Sequence, residues 1–86
     1  MKLARYFFHL RDGTDHLLDP EGTELPDLQA IQALAMRAAR DTLSHELRDN
    51  GHLDLRYRID VEDEHGSLVY SLPLEGAFTI TPAAAS

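Results

Sequence analysis

Five histidines are the first residues in this 86-residue chain that could do chemistry: His9, His16, His45, His52 and His65. A zinc centre draws three or four such side chains onto one point, usually with one pair held close on a rigid element. None of the five recurs two residues along a strand or four along a helix, so their spacing predicts surface or half-buried histidines. The acidic residues Asp12, Asp15, Asp19 and Glu21 have the composition of a calcium loop. They lack its alternating ligands, central glycine and distal glutamate, and turn-forming roles are expected for them. Ser44 precedes His45, but helical neighbours diverge by about 100° and cannot form a nucleophile–base pair. The glycines Gly13, Gly22, Gly51, Gly66 and Gly76 stand singly, so no phosphate-cradling loop is present. Cysteine is absent, which removes thiolate nucleophiles, disulfides and cysteine-bound zinc. The expectation is no enzyme, no metal and no cofactor.

Charge narrows the partners. Eight Lys and Arg stand against fifteen Asp and Glu, for a net −7, and residues 59–86 hold five acidic groups and no basic one. Arg56 and Arg58 flank Tyr57 and could contact phosphates or stack on bases, yet Asp60 and Glu62 continue the same face with opposite sign. Nucleic-acid affinity rests on neutralising phosphates, and an anionic domain opposes it, as it opposes an anionic membrane surface. No apolar run approaches the roughly 20 residues of a membrane helix. The first ten residues carry Lys2, Arg5 and His9 in place of a leader's apolar stretch, so a cytoplasmic protein is expected.

The elements that must position these groups read as hairpin, helix, hairpin. Ala4, Tyr6, Phe8 and Leu10 alternate with the mixed set Leu3, Arg5, Phe7 and His9, which predicts a strand with one buried face. Asp12-Gly13 supplies a turn, and His16-Leu17-Leu18 a short return strand. Asp19-Pro20-Glu21-Gly22 breaks the chain again, and Asp27, after Pro26, caps a helix. Its apolar stripe runs through Leu28, Ile31, Ala35, Ala38, Ala39, Thr42 and Leu43, widened by Met36 and Leu47, to Asn50-Gly51. Leu55, Tyr57, Ile59 and Val61 then alternate with Arg56, Arg58, Asp60 and Glu62. After the turn Asp63-Glu64-His65-Gly66, the return strand sets Leu68, Tyr70, Leu72 and Leu74 against Ser67, Val69 and Ser71. Pro73 marks an edge or a strand end, and Ala77–Ile80 adds a short strand or a final turn. The expected fold is α+β, a ββαββ plan with one helix on one face of a small antiparallel sheet. It forms one domain over residues 1–86, with 82–86 as a frayed tail.

The run Arg5-Tyr6-Phe7-Phe8-His9-Leu10-Arg11-Asp12-Gly13 leads on to Asp19, Glu21-Gly22, Glu24-Leu25, Asp27-Leu28 and Ala38-Ala39-Arg40-Asp41. Together these resemble a family of very small bacterial proteins catalogued as a domain of unknown function. The resemblance spans about Arg5 to Ile80 and implies no activity, ligand or site residue. A weaker, fold-level likeness is to HicB-type antitoxin domains, which mask a small toxin; the extra DNA-binding segment common there is missing here.

Two functions follow as expectations. The first is a non-enzymatic module that binds a protein partner or itself, as a homodimer, because a small sheet leaves edges to cover. Phe7, Leu3 and Val69 lie off the main core face and offer it an apolar surface. The second is a small-ligand or metal sensor built on Arg5 and His9, which share a strand face, with Asp12 completing the pocket; an antitoxin-like role stands beside it.

Overall fold

The computed structural model describes residues 2–84. The strand β1 (Ala4–Arg11) is followed by two short strands, β2 (His16–Leu17) and β3 (Thr23–Leu25), and then by the helix α1 (Leu28–Asn50). The strands β4 (Arg58–Glu62) and β5 (Leu68–Pro73) come next, and a 3-10 turn over Leu74–Ala77 closes the order. All pairings are antiparallel, in the order β2-β1-β4-β5, with β3 also on β1. This is an α+β fold with a single helix and a five-stranded sheet.

The two ends of the chain meet in the middle of the sheet, where Phe8 pairs with Val61 and Leu10 with Ile59. On the other side of β1, two short strands share one long one: Leu10 pairs with Leu17, and Tyr6 with Thr23. The alternation argument anticipates β2 and misses β3, because three residues of Thr-Glu-Leu between two turns show no period.

The helix begins and ends where its caps predict. Asp27 Oδ1 accepts the Ala30 N–H at 2.8 Å, and the Gly51 N–H donates to the Leu47 carbonyl at 3.0 Å. Gly51 does so at φ +63, a conformation that suits glycine. Ile31, Ala35, Ala39 and Leu43 form the buried line of the helix against Ile59, Val61 and Leu72. Leu28, expected in that line, is 51% exposed because it occupies the first helical turn beyond the sheet's reach. Leu47 is exposed at the other end.

Three boundaries differ from expectation, each for a local reason. The β4 strand starts at Arg58, not Leu55, because Asp54 accepts the Arg56 N–H at 3.1 Å and turns the chain there. Leu68 is 59% exposed instead of core-facing, since the β4–β5 register slips by one residue between Val61 and Glu62. The chain after Pro73 folds into the 3-10 turn, which buries Leu74 and Ala77 and is pinned by Arg40 Nε donating to the Ala77 carbonyl at 2.8 Å. Residues 82–84 are exposed and without regular structure, while Ala85 and Ser86 lie outside the described residues.

Ala39 is fully buried and Ala33 is exposed on the same helix. Ala39→Leu should overpack the helix–sheet contact and cost about 1–3 kcal/mol, while Ala33→Leu should cost little. Thermal melts of the two variants check this, and equal midpoints would reverse the orientation of the helix.

Candidate functional site

The face of the sheet away from the helix carries a polar rung across three strands. His9 on β1 pairs with Asp60 on β4, which pairs with Ser71 on β5. Asp60 is 4% exposed and His9 8%, unusual burial for either type. Asp60 Oδ1 accepts from Ser71 Oγ at 2.7 Å and from Arg58 Nε at 3.0 Å, and Oδ2 accepts from Arg11 at 3.2 Å. The same Arg11 nitrogen reaches Glu62 at 2.9 Å. Two guanidinium groups and two carboxylates therefore neutralise one another across the face. Burial works to raise the Asp60 carboxyl, but the bonds from Ser71, Arg11 and Arg58 outweigh it and hold the group below the usual aspartate range.

Ser, His and Asp on one rung suggest nucleophilic chemistry, but their bonds run elsewhere. Ser71 gives its proton to Asp60, where a nucleophile would give it to an imidazole. His9 Nδ1 accepts the Asp19 backbone N–H at 3.0 Å, which places the ring proton on Nε2, 3.4 Å from Glu62 Oε1. Phe7 stacks against the ring, with centroids 6.4 Å apart and planes 9° from parallel.

Asp19 organises the loop beside this rung. Along β1 the backbone groups of successive residues face opposite neighbours. Leu10 meets β2 and Tyr6 meets β3, which leaves the Phe8 N–H between them without a strand. Asp19 Oδ2 fills the gap and accepts that N–H at 3.2 Å, while Oδ1 accepts the N–H of Glu21 at 3.2 Å and of Gly22 at 3.1 Å. Burial tends to raise this carboxyl too, but the N–H donors of Gly22, Phe8 and Glu21, with His9 nearby, bring it below the usual range. The loop then presses on β1: a Cβ at Gly22 would stand 2.9 Å from Arg5 Cγ, Phe7 Cε2 and the Tyr6 carbonyl. Arg5 holds it down by donating to the Glu21 carbonyl at 2.8 Å and to Glu24 at 3.2 Å.

The remaining groups singled out in the sequence are dispersed. Arg5 and His9 do share a face, but Phe7 stands between them and both are bonded within the chain. Asp12 turns inward to accept the Thr14 and Asp15 N–H groups and completes no pocket with them. Arg56 forks onto Asp54 at 2.9 and 2.8 Å, which lowers that carboxyl to about 2, and Arg58 is committed to Asp60. His45 meets Arg48 on the helix, and His65 sits in the hairpin turn. His16 and His52 line a cleft of about 380 Å³ with Asp15, Glu46, Asp54 and Tyr57. Among the described residues no group of three or more His, Asp or Glu converges to hold a metal. No described helix is long and apolar enough to cross a membrane.

A family model matches residues 5–75, from the Arg5 clamp to the turn after β5. The chain belongs to that family, Domain of unknown function (DUF6894). No curated protein and no solved structure matches the chain, and nothing in the comparisons connects it to HicB-type antitoxin domains. The DUF6894 match takes in the Asp19 loop, the Asp60 rung, both caps of α1 and the whole of β5.

Two outcomes follow for this face. The folded Asp19 and Asp60 carboxyls lie below the ordinary value of 3.8, so the unfolded chain binds more protons as pH falls. Stability is complete above that value and is lost as pH drops through the lower folded values. Asp60→Asn should cost about 1–3 kcal/mol at neutral pH and make the decline below that point shallower, read by denaturant titration at a series of pH values. Gly22→Ala meets both a left-handed φ of +73 and occupied space, whereas Gly13, at φ +102, faces open space. The first should cost about 1–3 kcal/mol more than Gly13→Ala in the same titration.

Proposed function

We propose that this DUF6894 chain is a non-enzymatic interaction module that binds protein through the outer edge of β5. One observation carries the reading: the two edges of the sheet are treated differently. On the β1 side, β2, β3 and the Asp19 carboxylate occupy the strand's outward groups. On the other side, β5 has no strand beside it among the described residues, and Leu68 and Val69 are exposed at its start. A six-residue uncharged strand left open is the form of edge that takes up an added strand. The polar groups of the open face are bonded to one another, which favours a structural role for them over a catalytic or sensing one. A toxin-masking protein would be one form of the same reading, with a toxin as the occupant.

Val69→Lys places a charge on the edge without touching the core or the Asp60 rung. Tagged wild-type chain should retain a bound protein, or an untagged copy of itself, from the cells that make it. V69K should retain at least about tenfold less of the same species. Equal capture by the two chains would overturn the edge as the binding surface.

A further inference from the structure

The cleft that holds His16 and His52 is an acidic cluster whose groups are engaged with in-chain partners, and the apolar groove along Leu43, Leu47 and Phe78 has nothing that indicates its occupant. The β5 edge goes further, because its register states which backbone groups are free. The Leu74 N–H donates to the Tyr57 carbonyl at 3.1 Å, two residues beyond the Ile59–Leu72 pair. In an antiparallel ladder the bonded pairs alternate with non-bonded ones. Leu74, Leu72 and Tyr70 therefore spend their backbone groups on β4, and Ser71, Pro73 and Val69 turn theirs outward. Pro73 has no N–H to offer, so the outward ladder stops there. Ser67 limits it at the other end, with its N–H given to Asp63 Oδ1 and its carbonyl taken by the Asp63 N–H. What stays open is Val69 and Ser71.

Resting on the edge reading above, we infer that the occupant of this edge is a second copy of the chain, bound antiparallel about a two-fold axis at Tyr70. In that register Val69 of each copy lies opposite Ser71 of the other, and each pair exchanges both of its bonds. The open groups of the edge are thus complementary to themselves. Charge favours the same occupant. Each copy carries −7, yet β5 reads Leu-Val-Tyr-Ser-Leu-Pro, with no ionisable side chain except the tyrosine hydroxyl. It is a stretch along which two anionic copies can meet without opposing charges in the strand itself. A basic partner would gain nothing from such a strand. Because the β1 side is already filled, pairing ends at two copies and cannot propagate into a filament.

The flanks give the contact a recognisable salt dependence. The antiparallel arrangement brings the hairpin with Asp63 and Glu64 of one copy towards the end of β5 near Glu75 of the other. Like charges approach there, so screening should tighten the dimer, whereas a contact with a basic protein weakens in salt.

Sedimentation equilibrium of the full chain from about 1 µM to about 1 mM, at low and high salt, reads the mass directly. The expected result is a doubling of mass with concentration, shifted to lower concentration by salt. V69K should remain a monomer with an unchanged helical circular dichroism signal. Amide exchange on the wild-type chain gives a reading that needs no variant: Ser71 should exchange at least about tenfold more slowly in the dimer, with Tyr70 and Leu72 protected in both states. A monomer at every concentration overturns the second copy as occupant, while the capture experiment still judges the edge itself. A dimer that leaves Ser71 unprotected, or that salt dissociates, also overturns the inference.

Discussion

The Phe8 N–H is the constraint from which the left half of the sheet follows. An eight-residue strand flanked by strands of two and three residues must leave part of its length unpaired. A backbone donor buried without an acceptor costs about as much as a lost hydrogen bond, and one side chain has to supply it. Asp19 does so while gathering the N–H groups of Glu21 and Gly22, and its own N–H orients His9. One carboxylate thereby joins a strand, a loop and a ring. Gly22 is required because the loop that carries Asp19 crosses β1 with no room for a side chain.

The Asp60 rung acts on the other half in a different way. A buried ion pair is seldom a large net source of stability, since desolvation consumes most of the attraction. Its effect is on register. A one-residue slip of β4 would carry Arg58, Asp60 and Glu62 to the helix side, against Ala35 and Ala39, where no polar partner waits. The alanines reinforce this, because their small side chains bring the helix down close to Ile59 and Val61 and leave no space for a charged group with its water.

The periodic parts of the fold were legible in the sequence. The helix has Asp27 before it and Gly51 after it, and its line of apolar residues at every fourth position can be read without coordinates. The strand faces around Tyr6, Phe8, Ile59 and Val61 follow from alternation alone. What escaped is non-local. Asp19 looks like any turn aspartate, and only the three-dimensional gap at Phe8 distinguishes it. Asp60 falls at an ordinary solvent-face position, and its burial depends on Arg11, which is 49 residues away. Leu68 was assigned inward because a slip of one residue leaves no mark in composition. The open edge of β5 was hinted at by Pro73, whose missing N–H fits only a strand end or an outward position.

The strand pairing at the middle of the sheet has a consequence for the order of events during synthesis. The β1 strand is made first, and its long-range partner β4 begins 47 residues after it ends, across the whole helix. Until β4 emerges, Tyr6 and Phe8 have only the short pieces β2 and β3 beside them, too little to bury an aromatic face. The helix, with its own caps, can form early from local contacts, whereas the sheet is a late, all-at-once event. The nascent chain thus carries its most adhesive segment exposed for nearly its entire length. The acidic residues between Asp12 and Asp27 flank that segment from the moment it leaves the ribosome, and their mutual repulsion keeps neighbouring nascent chains apart until the C-terminal half arrives.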